Sequence, residues 1–593
     1  MSQAVDVDAA KPVDPPVDFV TPQLTWKAVG TGAILGGVLS ICNIYTGLKI
    51  GWGLNMSITG ILIAFAFWMV IHRMTVRRVG MMNRLENNIN QSAVSAAGAV
   101  SSAGLVSAIP AATIVDNVTL SWWQLSLWII SVCMVGIAVA MGLRRQMIIV
   151  DRLPFPGGIA CAETLKEIYN TGSEALKRVG VLGIGAAVGA ALKLAELLKW
   201  VKRTDFGATI NGSPALSTYS FALDPTLLMA AVGGLIGFRA GASLLLGALV
   251  AWWVIGTQLV DRGVSDAARG PIGEWLLWPG VTLMVVSSLV SLSFSAPAIM
   301  RSFPRSKEAR EGAGIDTGEV TRAWFWRSMA MALVAAVILQ TWFFGISWWA
   351  AIFAVLLSFA LAVVASRVSG ETNVTPVGAM GKVTQLAFAA VMPKNAVANL
   401  MGASVTAGAA SQCADLMHDL KCGFMLGAVA RYQVVGQIVG SIAGALVGSA
   451  FYLILVPDPA KMLMTEEWPA PAVAQWKAVA EVFLVGVSGL PSGAVTAMWI
   501  ATGLGVLLPV LEKTVPKKAA LWVPSAASLG LAFVIPAHNS ISMFIGGLAA
   551  LVVGKLWPNW SGKYFITVCA GVIAGESLLG AGDALRLVIF GTR

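Results

Sequence analysis

The chain has 593 residues, of which 57% are hydrophobic and 12% charged, against ~25% charged residues in an ordinary soluble protein. So few polar groups cannot cover a water-soluble surface, which excludes a soluble multidomain enzyme; at ~20 residues per bilayer crossing the apolar stock allows at most about seventeen spans. The net charge of +10 is carried largely by short loops between apolar runs, a pattern of membrane topology rather than the basic face of a nucleic-acid-binding domain, so no nucleic-acid partner is expected.

In chain order, residues 1–25 are polar and acidic (Asp6, Asp8, Asp14, Asp18) and lack the basic and apolar regions of a signal peptide; they are predicted to be a disordered tail. Charge-poor runs long enough to span follow at 28–48, 50–71, 87–115, 117–143, 240–260, 275–300, 395–414, 432–457 and 482–511. The runs 328–366 and 519–554 are each predicted to form two helices, breaking near Gly345 and at Pro536. Weaker candidates lie at 179–198, 225–238, 375–393 and 564–590. The expected fold is an all-α polytopic membrane protein with about 16 transmembrane helices, some broken or re-entrant, forming one transmembrane domain over 26–593.

Clustered Arg and Lys at 72–84, 144–152 and 301–327 predict cytoplasmic loops and a cytoplasmic N-terminus, whereas the 110–120 loop, with Asp116 and no Lys or Arg, is predicted outside. Lys199, Lys202 and Arg203 disagree with this count, falling outside by parity. Short matches recur about half a chain apart: Asn43-x7-Gly51 with Asn373-x7-Gly381, Ala97–Ala99 with Ala407–Ala409, and Pro156-Gly-Gly with Pro491-Ser-Gly. They suggest two repeated halves, 26–300 and 323–593, joined by a cytoplasmic loop at 301–322, with parallel and inverted arrangements both open.

No soluble nucleotide-binding domain is expected. The nearest approach to a Walker motif, Pro376–Val383, lacks the first Gly and the final Ser or Thr. The six Cys show no CxxC spacing, which argues against disulfide or zinc frameworks. Cys413–Cys422, which contains Asp415, His418 and Asp419, matches no standard zinc spacing and is predicted to be a polar cytoplasmic turn between helices. Neither a metal nor a cofactor is expected.

Four segments place polar and small residues where a spanning helix should be apolar: 43–53, 86–98, 154–167 and 371–385. Polar groups at such depth face a cavity or one another, and Gly and Pro allow the helix to break there. The predicted solute-binding residues are Asn43, Tyr45, Lys49, Asn90, Gln91, Asn373, Lys382 and Gln385. Lys suits a carboxylate and the amides suit peptide groups, so the set fits a zwitterionic, amide-rich solute. Glu163, Glu371 and Glu576 are the predicted proton-coupling carboxylates. A bundle-gluing role for the amides and an interfacial role for Lys49 are the plainer alternatives.

NIYTGLKIGWG (43–53), ETNVTPVGAMGKVTQL (371–386) and DLMHDLKCGFMLGAVARYQVVGQIVG (415–440) resemble the oligopeptide transporter (OPT) family, prokaryotic members in particular, over about 26–590. The resemblance implies about sixteen transmembrane helices and secondary active uptake, driven by a proton gradient, of small peptides, glutathione-like thiols or metal–chelate complexes, in the inner membrane of a prokaryote. The NPG and KIPPR signatures of the eukaryotic peptide-transporting branch are absent, which keeps the metal–chelate (yellow stripe-like) alternative open. Protons, lipid and a small solute are the implied partners, and a homo-oligomer is compatible. A passive channel and a proton-pumping pyrophosphatase are the competing classes; the latter needs metal-binding Asp residues that the spans lack.

Overall fold

The computed structural model describes residues 15–170, 172–207, 216–266, 268–294, 318–486 and 490–590. Thirteen helices among these are long and apolar enough to cross a membrane. Trp26–Ile50 is representative: its 25 residues at 1.5 Å per residue exceed the ~30 Å hydrocarbon thickness. Thr25 caps its first turn, and Gly51 stops it in a left-handed conformation with φ 97°. The protein is an all-α polytopic membrane protein. Among the described residues the regular strands are one two-residue pair, Thr204–Asp205 with Ala222–Leu223.

The tally differs from sixteen because several crossings fail a simple length-and-apolarity rule. Leu227–Ile236 and Val377–Val391 are apolar but short. Ala396–Leu426, at 31 residues, is buried nearly throughout and polar enough to escape hydropathy. It packs against Trp122–Arg144, Trp348–Thr372, Val377–Val391, Pro156–Asn170 and Arg84–Ala99. A helix surrounded by protein is shielded from lipid, so its sequence need not be greasy.

The long runs break where backbone chemistry demands it. Residues 322–372 divide at Gly345 (φ 63°), and 526–556 divide at Pro536. The expected single span at 87–115 is instead Arg84–Ala99, a 3₁₀ turn at Val100–Ala103 and Ala108–Asp116, and 482–511 is shared between Pro471–Val485 and Ala494–Thr514. Gly104 allows the first break: at φ 118° it lies so close to the Ala396–Leu426 helix that a Cβ there would sit 2.6 Å from Ser404 Oγ. Other glycines let helix backbones touch. A Cβ at Gly546 would meet the Ala230 carbonyl oxygen at 1.7 Å, and one at Gly440 would meet the Ala93 oxygen at 2.0 Å.

Two sequence expectations need correction. Residues 15–25 are not a disordered tail; 1–14 lie outside the described residues. Asp18 N donates to Gly427 O at 2.8 Å, Val429 N donates to Gln23 Oε1 at 2.9 Å, and Thr25 Oγ1 donates to Glu86 Oε1 at 2.7 Å. The segment thus supplies partners to the buried turn after Leu426 and to the start of Arg84–Ala99. The side chain and then the backbone of Thr21, with Val20 N, hold the Asp18 carboxyl below the usual carboxylate range. The second correction concerns 413–422, which is no turn but the buried interior of Ala396–Leu426. The loop expected at 301–322 lies outside the described residues up to 317.

Helix pairings recur along the chain. Trp26–Ile50 packs on Arg84–Ala99 as Trp348–Thr372 packs on Ala396–Leu426. Arg84–Ala99 lies against Ala430–Leu455, as Ala396–Leu426 lies against Trp122–Arg144. Gly172–Leu197 lies on Ile566–Phe590, and Ala494–Thr514 on Arg269–Ser293.

Candidate functional site

Lys49 stands in the last turn of Trp26–Ile50, where a cation complements the helix dipole. Its Nζ lies over the Tyr45 and Trp468 rings, 5.5 and 5.2 Å from their centroids. Tyr45 is itself buried against Gly580, where a Cβ would lie 2.6 Å from the phenol ring. Four residues earlier on the same helix as Gly580 is Glu576, 2% exposed, whose Oε2 accepts from Leu228 N at 2.8 Å in the first turn of Leu227–Ile236. Thr46 Oγ1 and Ser577 Oγ, 3.0 Å apart, tie Trp26–Ile50 to Ile566–Phe590 beside this point.

Lys49 and Glu576 face a cavity of about 360 Å³, within the range of small-molecule sites. Its other cations are Lys199, Lys202 and Arg203; its other carboxylates are Glu196, Asp224, Glu466 and Glu467. Arg203 pairs with Glu466 at 3.0 Å, and buried Lys193 donates to Glu196 at 2.9 Å behind the wall. Two interrupted helices begin here: Leu227–Ile236, after the irregular stretch ending at Thr226, and Ala537–Leu556, after the Pro536 break. First-turn N–H groups are unsatisfied within a helix and favour anions. His538 adds an imidazole whose Nε2 is 3.8 Å from Asp224 Oδ2 and whose buried Nδ1 has no hydrogen-bond partner. The chamber therefore presents both signs of charge and can hold the two ends of a zwitterion at once.

Of the predicted residues, Lys49 and Glu576 line this cavity, with Tyr45 behind Lys49. The rest lie elsewhere. Asn43 is spent on structure: its Nδ2 donates to Leu54 O and Gly98 O at 2.8 and 3.0 Å, and its Oδ1 accepts from Leu54 N at 2.9 Å. Asn43→Ala is expected to lower unfolding stability by about 2 kcal/mol or more, since it strands buried backbone groups; a thermal-unfolding midpoint equal to wild type would contradict this. Asn90 and Gln91 are fully buried on Arg84–Ala99 and bond mainly to neighbouring Asn87, Asn88 and Ser92. Lys382, 1% exposed, donates to Gln385 Oε1 at 2.9 Å and lies 4.4 Å from the Trp476 ring centroid; Gln385 bonds in turn with Asn399.

Asn373, Glu371 and Glu163 are exposed, and neither they nor the helices that carry them line the cavity. Asn373 Oδ1 accepts from Gly157 N at 2.8 Å, and Glu371 pairs at 3.3 Å with Arg367, which also reaches Asp151 at 2.6 Å. These contacts join the Pro156–Asn170 helix start to the end of Trp348–Thr372. Sequence reasoning did not select Glu196, Asp224, Arg203, Glu466 or His538. The signal was present in Lys199, Lys202 and Arg203, whose charges clashed with the topology count: a polar chamber retains them. Among the described residues no three His, Cys, Asp or Glu groups converge as a metal site.

Fold and cavity together define an integral, polytopic helical membrane protein built around a solute-sized, doubly charged chamber. Residues 23–582 match the family model described as OPT oligopeptide transporter protein, and the chain belongs to that family. It is 23% identical to a putative oligopeptide transporter of Saccharomyces cerevisiae, over 94% of this chain and 95% of that protein. It is 22% identical to a probable metal-nicotianamine transporter of Oryza sativa subsp. japonica, over 76% of this chain and 70% of that one, and 20% identical to a metal-nicotianamine transporter of Arabidopsis thaliana, over 94% and 92%. The family and these relatives are transporters rather than enzymes.

Proposed function

We propose that this protein is a secondary active transporter that carries small peptides or peptide-like metal chelates across the membrane, driven by a proton gradient. The observation that carries the reading is the cavity in which Lys49 and Glu576 stand beside the starts of two interrupted helices. Lys49 and the first-turn N–H groups take the solute's carboxylates; Glu576 and the neighbouring acids take its amine or metal-bearing end. The relatives named for metal-nicotianamine transport favour the chelate within this class.

The recurring helix pairings support two repeated halves, 26–300 and 323–593. Arg73, Arg77 and Arg78 with Arg144 and Arg145 are the charges that support a cytoplasmic N-terminus. Liposomes containing the purified protein test the function. A labelled peptide or chelate should accumulate only under an imposed pH gradient; equal uptake with and without the gradient would mark a passive channel.

A further inference from the structure

The Ala396–Leu426 helix carries an acid that the cavity does not use. Asp419 is 2% exposed, and its Oδ2 accepts from Gln437 Nε2 at 2.6 Å. Gln437 Oε1 accepts from Gln412 Nε2 at 2.6 Å, and Gln433 Nε2 donates to the Asp419 carbonyl oxygen at 2.6 Å. The other groups facing the carboxyl are Gln91 from Arg84–Ala99, Cys161 from Pro156–Asn170 and Asp415 on its own helix; beyond it, Lys166 acts on neighbouring Cys422. None of these groups facing the carboxyl is cationic.

A bare carboxylate enclosed by neutral amides is costly unless a cation neutralises it. The scarcity of further ligating groups disfavours a divalent ion, which needs several carboxylate or carbonyl oxygens. A proton needs only one acceptor once it is bound. The cluster holds acceptors in reserve: Gln412 Oε1 and Gln433 Oε1 are buried with no partner, although both side chains are about 99% enclosed. The Gln437 N–H serves the ionised form, and protonation would turn the carboxyl into a donor among these amides.

We propose that Asp419 is the proton-binding site of the transport cycle, remote from the solute cavity; this rests on reading the chain as a gradient-driven transporter. The carboxylate takes up one proton to become a neutral acid and later releases it, and no other bond changes. Its position explains how a distant proton can matter. Gln91 and Cys161 come from the first half of the chain, while Asp419, Gln437 and Gln412 come from the second, so the charge change falls on the boundary that must rearrange for access to alternate. Arg84–Ala99 packs directly on Trp26–Ile50, which delivers Lys49 to the cavity.

Asp419→Asn and Asp419→Glu in liposomes test this. In Asp419→Asn, pH-gradient-driven accumulation should fall about tenfold or more, within the usual span of a coupling free energy, while solute exchange at equal pH continues. Asp419→Glu, which keeps the acid, should retain accumulation. Wild-type accumulation in Asp419→Asn overturns the assignment, as does loss of exchange in both variants, which would mark a structural group. Accumulation driven by a sodium gradient at equal pH and lost in Asp419→Asn would overturn the choice of proton. If the wild type itself fails to respond to any gradient, the transporter reading fails first.

Discussion

Glu576→Gln is expected to weaken binding of solutes that carry a cationic amine by about tenfold to a hundredfold, because a charge-assisted hydrogen bond contributes roughly 1.5–3 kcal/mol. Glutamine keeps an oxygen to accept from Leu228 N, so the start of Leu227–Ile236 stays capped and the fold should survive. What is lost is the negative charge lying in the field of Lys193 and Lys49. Unbalanced, those cations repel an incoming ammonium group and leave the cavity suited to anions alone. Isothermal titration with a zwitterionic peptide and its N-acetylated analogue separates the effects: the free amine should lose affinity and the acetylated compound should not. Equal affinities in wild type and variant would remove Glu576 from solute recognition. Glu576→Gln should depress binding and accumulation together, whereas Asp419→Asn should depress accumulation alone.

Lys49→Ala should produce the complementary loss. The ammonium group is held over Tyr45 and Trp468 at the cavity wall, where it is only partly hydrated and electrostatics is strengthened. Solutes with a free carboxylate should bind about tenfold or more weakly, and their amidated counterparts should change little. The comparison matters because alanine also removes aliphatic packing against both rings, which would cost every solute alike. Equal losses for acid and amide would assign Lys49 to packing.

The membrane class and most helix positions were legible because hydrocarbon imposes a composition that no tertiary context can hide. The helices least visible were those that lipid never touches. Ala396–Leu426 is surrounded by other helices, so Asp415, His418, Asp419 and Gln412 sit inside it, and local polarity there read as a turn. Asn43, Asn90 and Gln91 were recognisable as polar groups at depth, but the same pattern serves a solute chamber or interhelical bonding, and only partner distances separate the two. Asn43 closes on Leu54 and Gly98 rather than on open space.

The linear order of residues determined, by itself, that this is a helical membrane protein of the oligopeptide transporter family, and that its backbone breaks near Gly345 and at Pro536. Tertiary structure alone decided which breaks meet. Glu196, Asp224, Glu466 and His538 lie far apart in sequence and converge where close-packed helices and the segments joining them meet. Hydrophobicity is a one-body property read residue by residue; a binding chamber is a many-body arrangement of distances.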